Sequence, residues 1–120
     1  MIDKRRIGID GENHACDFLI SQGYRILERN FRIRTAEIDI IAALHSVLCF
    51  IEVKKRKNTV FGEPSESVKV HKQKKIIQAA QAYLLLHENI YTDFEIRFDI
   101  IGISDKGIEH FEGAFDDSRQ

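Results

Sequence analysis

The sequence predicts an α/β fold, a single mixed five-stranded sheet flanked by two helices, and three observations predict it. Two stretches, 8–22 and 70–87, repeat small and apolar residues at spacings of three and four. Five others are short and rich in Ile, Val and Phe, as strands are. No internal repeat, low-complexity tract or Pro/Ser-rich linker divides the 120 residues, so they form one domain, 1–120, with an acidic tail from about 112.

The elements follow in order. Gly8, Gly11, Ala15, Phe18 and Leu19 mark one face of the first helix, and Gly23 stands where a C-terminal cap belongs. Residues 24–31 read as a strand with Tyr24, Ile26 and Glu28 on one side. The strands at 36–42 and 47–54 are separated by so few residues that they form an antiparallel hairpin. A loop spans 57–66, around Asn58, Gly62 and Pro64. The second helix carries Ile76, Ala79, Ala80, Tyr83 and Leu84 on its apolar face. Lys69, Lys72, Lys74 and Lys75 crowd its start, where they oppose the helix dipole. Strands at 94–103 and 108–111, joined by a turn at Lys106-Gly107, complete the chain.

Composition excludes several classes. With 43% hydrophobic and 31% charged residues, one Pro and no Trp, the chain is neither disordered nor collagen-like. No apolar run approaches the roughly 20 residues of a membrane span. The N-terminus has basic residues with no apolar stretch behind them, unlike a signal peptide. Cys16 and Cys49 sit in apolar surroundings without metal-ligand spacing, as buried thiols of a cytoplasmic protein do. The five histidines show no zinc-like spacing with them. The net charge of −1 conceals an asymmetry: residues 1–80 carry 15 Lys/Arg against 10 Asp/Glu, and residues 81–120 carry 3 against 9. A basic first two-thirds suits a polyanion, although a solvated surface accounts for it equally well.

The chemistry lies in the hairpin. Alternation sets Glu37, Asp39 and Ile41 on one side of its first strand, with Ile38, Ile40 and Ala42 on the other. Phe50, Glu52 and Lys54 share a side of the second strand. Any register pairing Asp39 with residue 50, 52 or 54 gathers Glu37, Asp39, Glu52 and Lys54 on one patch. Two like charges about 4 Å apart repel by roughly 4 kcal/mol at an effective dielectric of 20, more than one lysine offsets. The excess calls for a proton, a divalent cation or full solvation. Glu12, on or beside the apolar face of the first helix, brings a further acid if that face packs on the sheet. The basic run 54–57 and the lysines at 69–75 surround these acids, an arrangement suited to a phosphodiester. The plain alternative is an exposed sheet face with Glu–Lys cross-strand pairs.

Asp39 followed by Glu52-Val53-Lys54 resembles the PD-(D/E)xK signature of restriction-endonuclease-like nucleases. The wider series is more specific: Gly8, Gly11-Glu12, Ala15, Arg29-Asn30, Arg32, then 37–42, 50–54, Arg56, Gly62, Lys72-Gln73 and 97–99. In this order it resembles the uncharacterised bacterial YraN-like family, whose fold is similar to that of Holliday-junction resolvases. The resemblance spans roughly residues 6–103, departing at Ala36, usually Gly in the family, and at the hairpin tip Leu44-His45-Ser46. It implies a restriction-endonuclease-like fold and a metal-dependent nuclease acting on DNA, with paired cuts made by a homodimer. Asp39 and Glu52 are then ligands of Mg²⁺ or Mn²⁺, with the Val53 carbonyl, and Glu12 completes the shell directly or through water. Lys54 orients or deprotonates the attacking water. Glu37 either orients these groups or pairs with a base. Arg6, Arg29, Arg32, Arg56, Lys72 and Lys75 are the candidates for phosphate contacts. Asp99, near Arg97, reads as structural. The competing reading is a non-catalytic nucleic-acid- or protein-binding module on the same fold.

Overall fold

The computed structural model describes residues 4–55 and 68–117, with side chains from residue 10 onward. Helix α1 (Lys4–Ser21) is followed by strands β1 (Arg25–Ile33), β2 (Ala36–Leu44) and β3 (Val47–Lys55). Helix α2 (Val70–Leu86) then leads to β4 (Glu95–Ser104) and β5 (Gly107–Phe115). The five strands lie in the order β1-β2-β3-β4-β5. All neighbours are antiparallel except β3 and β4, which run parallel because the chain crosses over through α2 between them. This is the mixed five-stranded α/β sheet the sequence predicts.

One helix covers each face. Ala15, Cys16 and Leu19 of α1 pack on Ile40, Ala42, Cys49, Ile51 and Ile101. On the other face Ile76, Ile77, Ala80 and Tyr83 of α2 pack on Phe31, Ile41, Leu48, Phe50 and Ile100. Buried on both faces, β3 and β4 read as near-continuous apolar runs, the pattern expected of a parallel pair. Both cysteines are free and buried, and burial pushes the Cys49 thiol up to about 12. Among the described residues no helix is long and apolar enough to cross a membrane.

Three local features differ from simple alternation. A bulge between Ile26 and Glu28 turns Glu28 opposite Ile41, on the α2 face, whereas Tyr24 and Ile26 remain on the α1 face. Ile38 belongs to the α2 core and Ile40 to the α1 core, so the two do not share a side. The cause sits across the ladder. Asn30, between Arg29 (opposite Ile40) and Phe31 (opposite Ile38), adopts φ 54°, a left-handed conformation that interrupts the pleat beside Asp39. Finally, β5 runs on to Phe115, so the acidic stretch from 112 begins as strand, not tail. Gly113, at φ 61°, accommodates an irregularity in its pairing with β4.

Candidate functional site

The β2–β3 hairpin closes on the two residues His45-Ser46, with His45 at φ 52° providing the tight turn in place of glycine. From Leu44↔Val47 the ladder runs to Ile40↔Ile51 and stops. One further step in the same register sets Asp39 opposite Glu52, the parity that gathers the acids. There the side chain replaces the main chain: the Val53 N–H donates to Asp39 Oδ2 at 2.8 Å. The Asp39 carboxyl adjoins that of Glu52 closely enough for the two to interact directly.

Burial and the adjoining Glu52 carboxyl push Asp39 up to about 8, against the Val53 N–H and the charge of Lys72, which pull it down. Asp39 therefore keeps its proton more readily than an ordinary aspartate does. Glu52 is buried, and its Oε2 lies 3.2 Å from Lys72 Nζ. Lys72 comes from the first turn of α2, whose N-cap Lys69 makes no side-chain capping bond. The lysines crowded at that helix start thus have a use in tertiary structure: Lys72 and Lys75, with His71, face the two acids. Thr35, Ala36, Glu37 and Ile76 complete a cavity of about 260 Å³ around them. A larger hollow of about 680 Å³ at the end of α2 is lined mainly by Leu84, Leu85, Tyr91, Phe94 and Ile96 and contains no paired acids. Chemistry, not size, selects the smaller one.

Glu12 approaches from the α1 side. Burial and the nearby Asp39 charge raise its carboxyl, while the Asn30 side chain and Arg29 counter them. Its Oε1 lies 3.7 Å from Arg29 Nη2. Glu37 is held by Arg32 at 3.3 Å at the edge of the cavity. The structure therefore joins Asp39 and Glu52 closely and keeps Glu12 and Glu37 nearby, each on its own arginine. Among the described residues no three Asp, Glu, His or Cys side chains converge tightly enough to hold a metal unaided. Two adjoining carboxyl groups beside a polar cavity nevertheless offer the hard oxygen ligands of a divalent cation that keeps several waters.

Lys54 is half-buried, two residues beyond Glu52 on the same side of β3, and does not line the cavity. The side chain of Arg6 and all of Arg56 lie outside the described residues. Sequence reasoning placed Lys72 among phosphate contacts and missed that it pairs with Glu52. Asn30 and His71 were also missed as neighbours of the acids; the sole signal for Asn30 was its place beside Arg29 in the recurring series.

Asp99 belongs elsewhere. Fully buried on β4, it accepts from Arg97 Nε and Nη2, His110 Nε2 and the Gly113 N–H at 2.8–3.2 Å. Burial alone would raise its carboxyl, but these donors hold it below the usual range. Arg97 also donates to the Tyr24 hydroxyl at 2.6 Å. With every lone pair engaged, Asp99 ties β4 to β5, and Arg97 extends the link to Tyr24, just ahead of β1.

The model of the uncharacterised protein family UPF0102 matches residues 11–103. A UPF0102 protein of Chlorobium phaeobacteroides is 47% identical over 116 residues, covering 95% of this chain and 89% of the relative. One from Thermodesulfovibrio yellowstonii is 44% identical over 109 residues, covering 91% and 95%. A third, from Myxococcus xanthus, is 37% identical over 118 residues, covering 95% and 92%.

Proposed function

The chain belongs to the uncharacterised protein family UPF0102, the YraN-like family, and for it we propose a divalent-metal-dependent nuclease that cleaves DNA, with a restriction-endonuclease-like, resolvase-like fold. One observation carries the reading: the half-buried Asp39 and the buried Glu52 adjoin each other and line one cavity with Lys72 and Lys75. A folding requirement alone does not select a buried acid with a second acid beside it, since well-packed apolar groups cost less.

Asp39 and Glu52 would hold Mg²⁺ or Mn²⁺, with the Val53 carbonyl, and Glu12 would reach the ion through water. When bound, the ion supplies polarisation of the scissile phosphate and a bound water of lowered pKa. The protein supplies the rest. The Val53 N–H fixes the orientation of Asp39. Lys54 orients or deprotonates the attacking water. Glu37 steadies Arg32, and Arg32, Arg29, Lys72 and Lys75, with Arg6 and Arg56, track the phosphates independently of sequence. Paired cuts on two strands need two such sites, hence a homodimer. Free thiols at Cys16 and Cys49 suit work in the reducing cytoplasm.

A second reading, a binding module without catalysis, is favoured by the engagement of Glu12 with Arg29 rather than with the acid pair. Nicking of branched and single-stranded DNA with Mn²⁺ decides between them. The nuclease reading expects cleavage that a chelator and Asp39→Asn both abolish, with Lys54→Ala slower by about 10²–10⁴. Cleavage indifferent to Asp39→Asn removes the assignment; salt-dependent binding without cleavage establishes the module.

A further inference from the structure

We propose, resting on the nuclease reading above, that Lys72 is a displaceable counter-ion: a divalent cation takes its place on Glu52, and the released ammonium turns to a DNA phosphate. Metal and DNA then bind cooperatively through this one side chain.

The asymmetry of the ion pair points there. Glu52 is fixed, with its side chain 7% exposed, whereas the side chain of Lys72 is 46% exposed and reaches in from solvent. Rotation of that long stem moves the charge without disturbing the core. Lys72 is also better placed with an anion beside it than without one. It lies in the first turn of α2, which has no acidic residue and no side-chain cap, so the helix dipole opposes its charge. Glu52 answers that need while the carboxylate is available. A cation on Glu52 both cancels this attraction and repels the ammonium. The nearest replacement anion is a phosphate approaching the same cavity, which Lys75 and His71 also line. The coupling is reciprocal: DNA that captures Lys72 frees Glu52 for the ion. Before DNA arrives, the lysine lowers the affinity for the metal.

The test uses calorimetric titration of the full chain with MgCl₂. Lys72→Met preserves the stem and removes the charge. Without DNA it should bind Mg²⁺ roughly tenfold more tightly than wild type, within the usual span of coupling between sites. The gain in affinity that Mg²⁺ gives for a fluorescein-labelled oligonucleotide, read by anisotropy, should fall by a similar factor. Lys72→Arg should retain both wild-type values. Lys75→Met should weaken the oligonucleotide with and without Mg²⁺ alike. Equal Mg²⁺ affinity in wild type and Lys72→Met, each folded by thermal melt, overturns the counter-ion role and leaves the metal reading standing. No Mg²⁺ binding by either protein overturns the metal reading itself, and this inference with it.

Discussion

The Val53 N–H and the Asp39 carboxylate, 2.8 Å apart, stand where a rung of the β2–β3 ladder would otherwise be. A side chain thus completes the hydrogen bonding that the main chain gives up, and the half-buried amide is satisfied. Because the bond comes from the strand that carries Glu52, it holds the two acids at a spacing that electrostatics opposes.

That opposition has a pH signature. The folded chain keeps the Asp39 carboxyl neutral up to about 8, whereas an unfolded chain ionises it near the ordinary aspartate value of 3.8. The unfolded state therefore holds fewer protons between these values, and stability falls as pH rises through the window. Asp39→Asn has no such proton to lose and still offers an oxygen to Val53. We expect it to match wild type near pH 3 and to exceed it at pH 9 by on the order of 1–3 kcal/mol in urea unfolding. A stability difference that does not grow with pH refutes this account of the pair.

Much of the architecture was readable because its signals are local. The three- and four-residue spacing at 70–87 gave α2, and the apolar runs on either side of His45-Ser46 gave the hairpin. Asp39 and Glu52 could be assigned to one patch because the hairpin register, continued one step beyond Ile40 and Ile51, sets them opposite each other. What escaped depends on single backbone angles or on distant partners. The left-handed Asn30 breaks alternation at Asp39, yet Asn is common enough in ordinary turns to pass unnoticed. Lys72 meets Glu52 only through the packing of α2 on the sheet. The length of β5 rests on Asp99, which takes the Gly113 N–H past the last apolar strand residue the pattern suggested.

Asp99 should behave oppositely to Asp39 in acid. Its lowered folded pKa means that its contribution is complete above about 3.8 and is lost as pH falls below that value. Asp99→Ala leaves the Arg97 and His110 side chains together without their shared anion. The expected loss is about 3–5 kcal/mol at pH 7, read by denaturant unfolding. The wild type should lose stability below pH 4 more steeply than the variant. Parallel acid limbs for the two proteins contradict the role given to this carboxylate.

Gly11 offers a prediction of the opposite sign. A Cβ there would lie 2.9 Å from Lys55 Cε and 3.8 Å from Ile103 Cδ1. The close neighbour is the far end of a flexible side chain on an exposed residue, which can move aside. Gly11 sits within α1, where alanine is favoured over glycine by about 1 kcal/mol. Gly11→Ala should therefore raise the melting temperature. A drop signals that the Lys55 stem cannot yield.

Asn30 combines a backbone role with a side-chain role, and substitutions separate them. Its φ of 54° is open to glycine but costs an ordinary L-residue about 1–2 kcal/mol. Its side chain hydrogen-bonds Glu12 and lowers that carboxyl, against burial and the Asp39 charge. Asn30→Gly retains the conformation and deletes the amide; Asn30→Ala loses both. Unfolding free energy should then fall clearly for alanine and only slightly for glycine. The Glu12 carboxyl, followed by NMR titration, should move further up in both variants, because the bond that opposed its burial is gone in each. Equal destabilisation by the two substitutions shows that the left-handed turn is not what reverses the faces of Ile38 and Ile40. An unmoved Glu12 shows that the amide does not reach it in solution.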